Sequence, residues 1–184
     1  MFTALKLKDE NIAEYLLYMW QVEDLLRACQ LDIDIVKEKY LSKFSGLTPE
    51  QQRQQEKWYD DLIEMMHSEH VTRQGHLQIN RNVIANLEEL HAKLLAHADK
   101  YPYYKAAYYN ALPAIVELRR KSGIDQKGEI ETCFNLLYGI MLLRMQGKPI
   151  EQATQGALKL VSNYISMLSS YYHQDKQSSL DLDD

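Results

Sequence analysis

Seven glycines and four prolines in 184 residues are too few turn-formers for a protein built of many short strands. Leu, Ala, Glu, Lys, Gln and Met are plentiful instead, a composition that favours helix. Cysteine is nearly absent too: Cys29 and Cys133 lie far apart, form no Cys-x-x-Cys, and each falls toward an apolar helix face. Two reduced core thiols fit this better than a disulfide framework or a zinc site. Nor is there a long apolar run. The longest, Leu136 to Leu143, has eight residues, whereas a membrane span needs roughly twenty. No apolar core follows Met1, so no secretory signal is expected and the chain reads as cytoplasmic. A basic block is also missing. The formal net charge is −5, which leaves sequence-independent binding to nucleic acid without electrostatic support.

What the chain does have is helical periodicity, on a length suited to one domain with a substantial core. Its most apolar stretch is Glu129 to Met145, bracketed by Asp125 before it and Gly147-Lys148-Pro149 after it. At about 100° per residue, Ile130, Cys133, Leu137, Ile140 and Met141 share a face that Phe134, Leu136 and Tyr138 widen. A helix apolar over most of its circumference belongs inside a bundle.

The other helices are placed around it. A first helix is expected from Asn11 to Gln30, with an inward stripe of Ile12, Tyr15, Leu16, Met19, Val22 and Leu26. A short one runs from Asp32 toward Phe44 and stops at Gly46. Thr48-Pro49-Glu50-Gln51 has the spacing of a capping box with Pro at the first helical position. That helix should end near Gly75, with Glu50 to Lys57 in solvent. Another begins near Asn80. The next, from Tyr103 to Lys121, carries Pro113, which should kink or split it, and closes at Gly123. The last starts at Pro149 and aligns Val161, Ile165, Leu168 and Tyr172. The expected fold is all-α, an irregular bundle of six or seven helices with the apolar helix near 126–146 at its centre. Residues 1–173 read as a single domain and 174–184 as an acidic disordered tail.

Three constellations could carry chemistry. Ionisable residues project into apolar arcs at Glu23, His91, Arg119 and Arg144, and charged groups are almost never buried unless paired. Glu23 can pair with Arg27 one turn on, and Arg119 and Arg144 suit helix C-termini. Together with Trp20 as a wall, Glu23, Arg27, Arg119 and Arg144 are candidate ligand-binding residues for an anionic molecule. Second, Tyr101, Tyr103, Tyr104, Tyr108 and Tyr109 cover every side of one helix, so some of them meet a partner or solvent. The plainer reading makes Tyr104 and Tyr108 core. Third, Glu64-x-x-His67 and Glu88-x-x-His91 have the spacing of di-iron ligand pairs in ferritin-like bundles. The helical wheel turns Glu64 and His67 to water and places His91 in the apolar arc with Glu88 at its rim, which leaves a metal site at Glu88 and His91 as the alternative.

No Gly-rich phosphate loop, Gly-x-Ser-x-Gly, His-Glu-x-x-His or Cys–His zinc spacing is found, so no catalytic residues and no cofactor are expected.

Several segments together resemble a known family. They are Ile12 through Ala28, Gly75-His76-Leu77, Tyr109 through Arg119, and Glu131-Thr132-Cys133-Phe134 through Leu142-Leu143-Arg144. They resemble a bacterial family of small all-helical proteins known only as a domain of unknown function. The resemblance covers nearly the whole chain and implies a helical domain with no activity or site residue to carry over. The function expected from the residues is a non-enzymatic protein-interaction or small-ligand-binding module, a homodimer or the partner of another protein. A helical-bundle metalloprotein is the alternative.

Overall fold

The computed structural model describes residues 1–122, 128–177 and 180. The stop expected at Gly123, the Asp125 start signal and most of the acidic tail lie outside the described residues. Eight α-helices follow one another: α1 (Phe2–Glu10), α2 (Ile12–Ala28), α3 (Ile33–Lys39), α4 (Pro49–Ser68), α5 (Gln78–Ala96), α6 (Pro102–Ser122), α7 (Glu129–Met145) and α8 (Gln152–Lys176), with a 3-10 turn at Leu41–Lys43. Among the described residues there is no strand. The fold is an all-α helical bundle, with eight helices among the described residues where six or seven are expected. Among the described residues no helix is long and apolar enough to cross a membrane.

The additional helix is α1. It buries only Ala4 and leaves Phe2 and Leu5 exposed, so it offers no apolar stripe to read. A nine-residue helix is marginal on its own, and contacts such as Lys8 over the Tyr15 ring, at 6.0 Å, help to hold it.

Helix ends differ from expectation where non-glycine residues adopt left-handed backbone. Gln30 (φ 58°) and Leu31 (φ 57°) end α2 two residues early, and the Leu31 amide donates to the Leu26 carbonyl at 2.9 Å. His70 (φ 57°) ends α4 at Ser68 rather than near Gly75, with the Val71 amide donating to the Met66 carbonyl at 3.0 Å. Both are glycine-type helix stops made without glycine, which no turn residue announces. The α4 start agrees with its signal: the Thr48 side chain accepts from the Gln51 amide and the Gln51 side chain accepts from the Thr48 amide. Helix α6 runs unbroken through Pro113. The proline is exposed, so the carbonyl one turn back that loses its partner lies on the solvent side, where water can serve it.

The backbone falls into two compact units. The first comprises Met1–Glu10 and Glu14–Asn82, the second Asn11–Ala13 and Val83–Asp184. In the first, α3 packs on α4, and the core includes Leu16, Met19, Trp20, Tyr59, Ile63 and Met66. In the second, α6, α7 and α8 pack on one another around Leu87, Tyr104, Ile115, Phe134, Tyr164 and Leu168. Asn11 caps the first turn of α2. Its side-chain oxygen accepts from the Ala13 amide (3.1 Å) and from the Ser169 hydroxyl of α8 (2.9 Å).

Helix α7 buries Ile130, Thr132, Cys133, Phe134 and Ile140 but only half-buries Leu136, Leu137, Met141, Leu142 and Leu143, and Met145 is 70% exposed. Its packing is concentrated in its first half. Helix α8 begins at Gln152, not Pro149, and continues to Lys176, three residues into the stretch read as tail.

Candidate functional site

In the first unit the sequence anomaly at Glu23 becomes a bonded cluster. Its side chain is fully buried, and a carboxylate in that position needs donors to replace water. Three are present. The His76 ring nitrogen Nδ1 lies 2.6 Å from Oε2, and the Leu77 amide (2.8 Å) and Asn80 Nδ2 (2.6 Å) both donate to Oε1. Where Oε2 accepts, the donor of this bond is Nδ1–H of His76. The imidazole lies flat on the Trp20 indole, with centroids 4.1 Å apart and planes 11° from parallel.

The expected Glu23–Arg27 pair does not form. Arg27 turns instead to Asp24 (2.9 Å) and donates to the carbonyls of Val71 (3.1 Å) and Gly75. Gly75 sits at φ 87°, a conformation that presents its carbonyl to the guanidinium and that a side chain would disfavour. Asn80, near which this helix is expected to begin, is a fully buried member of the cluster inside the first turn of α5. The Gln78 amide at the helix start donates to Glu69 (2.6 Å). Trp20, Glu23 and Arg27 are therefore brought together, but the Glu23 carboxylate and the terminal nitrogen Nη2 of Arg27 are bonded to the segment from Val71 to Asn80, and the Trp20 indole stacks on His76. Chemically this is a carboxylate-oriented imidazole whose bonds all hold one connection against α2. It is a latch.

The second unit contains a different polar centre. His91 on α5 meets the hydroxyls of Tyr104 on α6 and Tyr164 on α8, both at Nδ1, at 2.7 and 2.9 Å. Tyr108 packs edge-on against the same ring at 4.7 Å and donates its hydroxyl to Glu129 at 2.8 Å. Burial pushes the Tyr104 and Tyr164 phenols up, Tyr108 up to about 12 with help from its bond to Glu129, and the Cys133 thiol up to about 12. Burial pushes the His91 imidazole below its ordinary 6.5, against a smaller opposing pull from the Glu129 carboxylate. At neutral pH the network is thus un-ionised phenols around an uncharged imidazole, and a thiol so far from ionising is a poor nucleophile.

The sign of the His91 shift makes a prediction. The unfolded chain takes up a proton as pH falls through about 6.5, whereas the folded chain resists until lower pH. The contribution of neutral His91 is therefore full above that value and is lost as pH drops below it. The stability gap between the native protein and His91→Gln, from urea midpoints at pH 7.5 and 5.5, should narrow at the lower pH. A gap constant across that range would remove His91 as the cause.

The remaining sequence candidates separate by burial. Tyr104 and Tyr108 are buried and belong to the core, Tyr101 packs edge-on against Tyr171 at 5.3 Å, and only Tyr103 and Tyr109 are strongly exposed. Arg119 is half-buried in the last turn of α6. Arg144, placed by the helical wheel near the face of Leu137, is exposed in the last turn of α7. Both lie in the second unit and Trp20, Glu23 and Arg27 in the first.

Glu64 and His67 are exposed, as their wheel positions require. Glu88, the proposed metal partner of His91, is exposed, and its carboxylate lies so close to Gly128 that a Cβ there would sit 1.9 Å from Oε1. Burial, and then repulsion from Glu131, raises its pKa. Among the described residues no group of three or more His, Cys, Asp or Glu is placed to hold a metal ion. The two cysteines are free and buried.

Sequence comparison completes the picture. A family described as a domain of unknown function (DUF4924) matches residues 1–179. The chain belongs to that family. No curated protein and no solved structure matches the chain. The family match spans both polar centres, from Trp20 and Glu23 to Tyr164, and contributes no chemistry to either.

Sequence reasoning missed His76 and Tyr164 as members of these centres. Tyr164 had a usable signal, since it stands three residues after Val161 and four before Leu168, on the same helix face. His76 had none, because it belongs to a connection whose path is set by its partners.

Proposed function

We propose that this protein is a non-enzymatic interaction module, working in the cytoplasm and pairing with a second copy of itself through the outward face of α6. The observation that carries the reading is a stripe of exposed apolar side chains. Tyr103 is 80% exposed, Tyr109 and Val116 are each 54% exposed, and exposed Ala106 and Pro113 lie between them at helical spacing. A lone exposed tyrosine is ordinary, but a continuous apolar strip on one helix is the usual mark of a contact surface. Tyrosine suits such a surface because its body is apolar and its hydroxyl tolerates water.

A second copy is the partner that the stripe itself fits, because antiparallel pairing of two α6 helices about a point near Tyr109 and Asn110 would lay one apolar strip on the other across a two-fold axis. One helix face buries less than the roughly 1,200–2,000 Å² of stable complexes, so the pairing should be weak and concentration-dependent. Sedimentation velocity across the micromolar range should show a monomer giving way to a dimer. Tyr109→Arg, near the centre of the stripe, should weaken association by about 30-fold, the cost of losing one hot-spot side chain. A monomer at several hundred micromolar, or a dimer indifferent to Tyr109→Arg, would refute the proposal.

Residues 1–173 act in this reading as one domain, supported by α2 and α5, each of which contributes residues to both compact units. A single calorimetric unfolding transition is expected, and two resolved transitions would divide the domain. Buried thiols that stay reduced accord with a cytoplasmic setting.

A further inference from the structure

The first half of α4 was expected to stand in solvent, and most of it does. Gln55 does not: the residue is only 5% exposed, and its side chain makes no hydrogen bond to any described residue. It lines a cavity of about 220 Å³ between α3, the 3-10 turn and α4, where Leu41, Phe44 and Leu47 form an apolar wall and Lys37 and Glu56 stand at the side. The Gln55 carboxamide is not sealed off: its polar atoms are reachable from the cavity, and the charged and hydroxyl groups beside it are engaged elsewhere. Lys37 is engaged with Glu56 at 3.5 Å and Asp34 at 3.8 Å, and the Ser42 hydroxyl donates to the Glu38 carbonyl. Phe44 keeps 41% of its surface exposed while Tyr40 packs against it edge-on at 5.2 Å, which leaves ring surface available.

We infer that this cavity is a binding site for a small, neutral, planar heteroaromatic molecule carrying a hydrogen-bond donor and acceptor side by side. The Gln55 carboxamide offers the complementary pair, and its geometry is the one by which glutamine engages the N6/N7 edge of adenine or another carboxamide. Phe44 supplies a surface for an aromatic ring, and Leu41 and Leu47 supply the desolvated wall. The volume suits a one- or two-ring molecule. A phosphate is disfavoured, because the one cation lining the cavity is already paired. The chemistry has two natural sources, a free nucleobase and an aromatic carboxamide, and Gln55 recognises their shared donor–acceptor edge.

The test titrates the full-length, isotope-labelled protein with adenine, nicotinamide and AMP in turn, following the Gln55 side-chain amide by NMR. Adenine, nicotinamide or both should shift that amide saturably, with a Kd of about a millimolar or below, the range reached by ligands of about ten heavy atoms. Which of the two binds identifies the source. Gln55→Met keeps the volume and the fold but removes the donor–acceptor pair, and should weaken binding by at least about 10-fold. Its folding is checked by the unchanged backbone spectrum away from α4. Gln55→Glu keeps the acceptor only and should fall with Gln55→Met. No shift with adenine or nicotinamide at 10 mM (about ten times the expected Kd) would overturn the inference. So would binding that Gln55→Met leaves intact, or binding of AMP alone.

Discussion

Glu23→Ala is expected to cost about 3–5 kcal/mol of folding stability, the range for breaking a buried, bonded charge. Three donors lose their acceptor at once: His76 Nδ1, the Leu77 amide and Asn80 Nδ2. The Leu77 amide and the Asn80 side chain belong to fully buried residues and cannot turn to water without opening the connection between α4 and α5. Glu23→Gln separates charge from bonding. Its side-chain oxygen can still accept from Leu77 and Asn80, while its NH2 group faces a His76 nitrogen that must give up its proton to the other ring position. That exchange of a charged for a neutral bond should cost less, about 1–2 kcal/mol. Urea unfolding gives both values, and amide hydrogen exchange adds a local readout: the Leu77 amide should exchange faster in Glu23→Ala even under conditions where the protein stays folded. An alanine variant within about 1 kcal/mol of the native protein would mean that the latch holds nothing.

Tyr164→Ala should be as damaging in the second unit, at about 3–5 kcal/mol, because an aromatic ring is removed from a fully buried position among His91, Tyr104 and Tyr108. Tyr164→Phe leaves the ring and removes only the hydroxyl at 2.9 Å from His91 Nδ1, which keeps its shorter bond to Tyr104 at 2.7 Å. The phenylalanine variant should lose about 1 kcal/mol. The ratio of the two losses tests whether this centre is held by ring packing or by its hydrogen bonds. A phenylalanine loss as large as the alanine loss would show that the hydroxyl network dominates.

These two centres were legible to different degrees, for a physical reason. Helical periodicity is local, so the inward faces of α2, α4, α5 and α8 could be read from spacing. The capping box at Thr48 and Gln51 could be read too, because all of its bonds close within four residues. Tyr104 and Tyr108 fell on the core side and Tyr103 and Tyr109 on the outer side as helix geometry requires. Glu23 stood out as a charge on an apolar face. Its partners did not, because they lie 53 to 57 residues away along the chain, and the sequence offered Arg27, one turn on, as the nearer answer. The same limit explains Gln55. On a polar stretch of α4 nothing distinguishes the one glutamine that α3 and the 3-10 turn cover.

Sequence by itself determined that the described chain is helical, where most helices run and which of their faces turn inward, because those properties depend on residues three or four apart. Tertiary structure decided the rest. It turned Arg27 away from Glu23 toward two backbone carbonyls, ended α2 and α4 in left-handed turns without glycine, and left the second half of the most apolar helix only half-covered. Each of these depends on what a side chain meets across a distance that the chain must fold to close, and no local period records it.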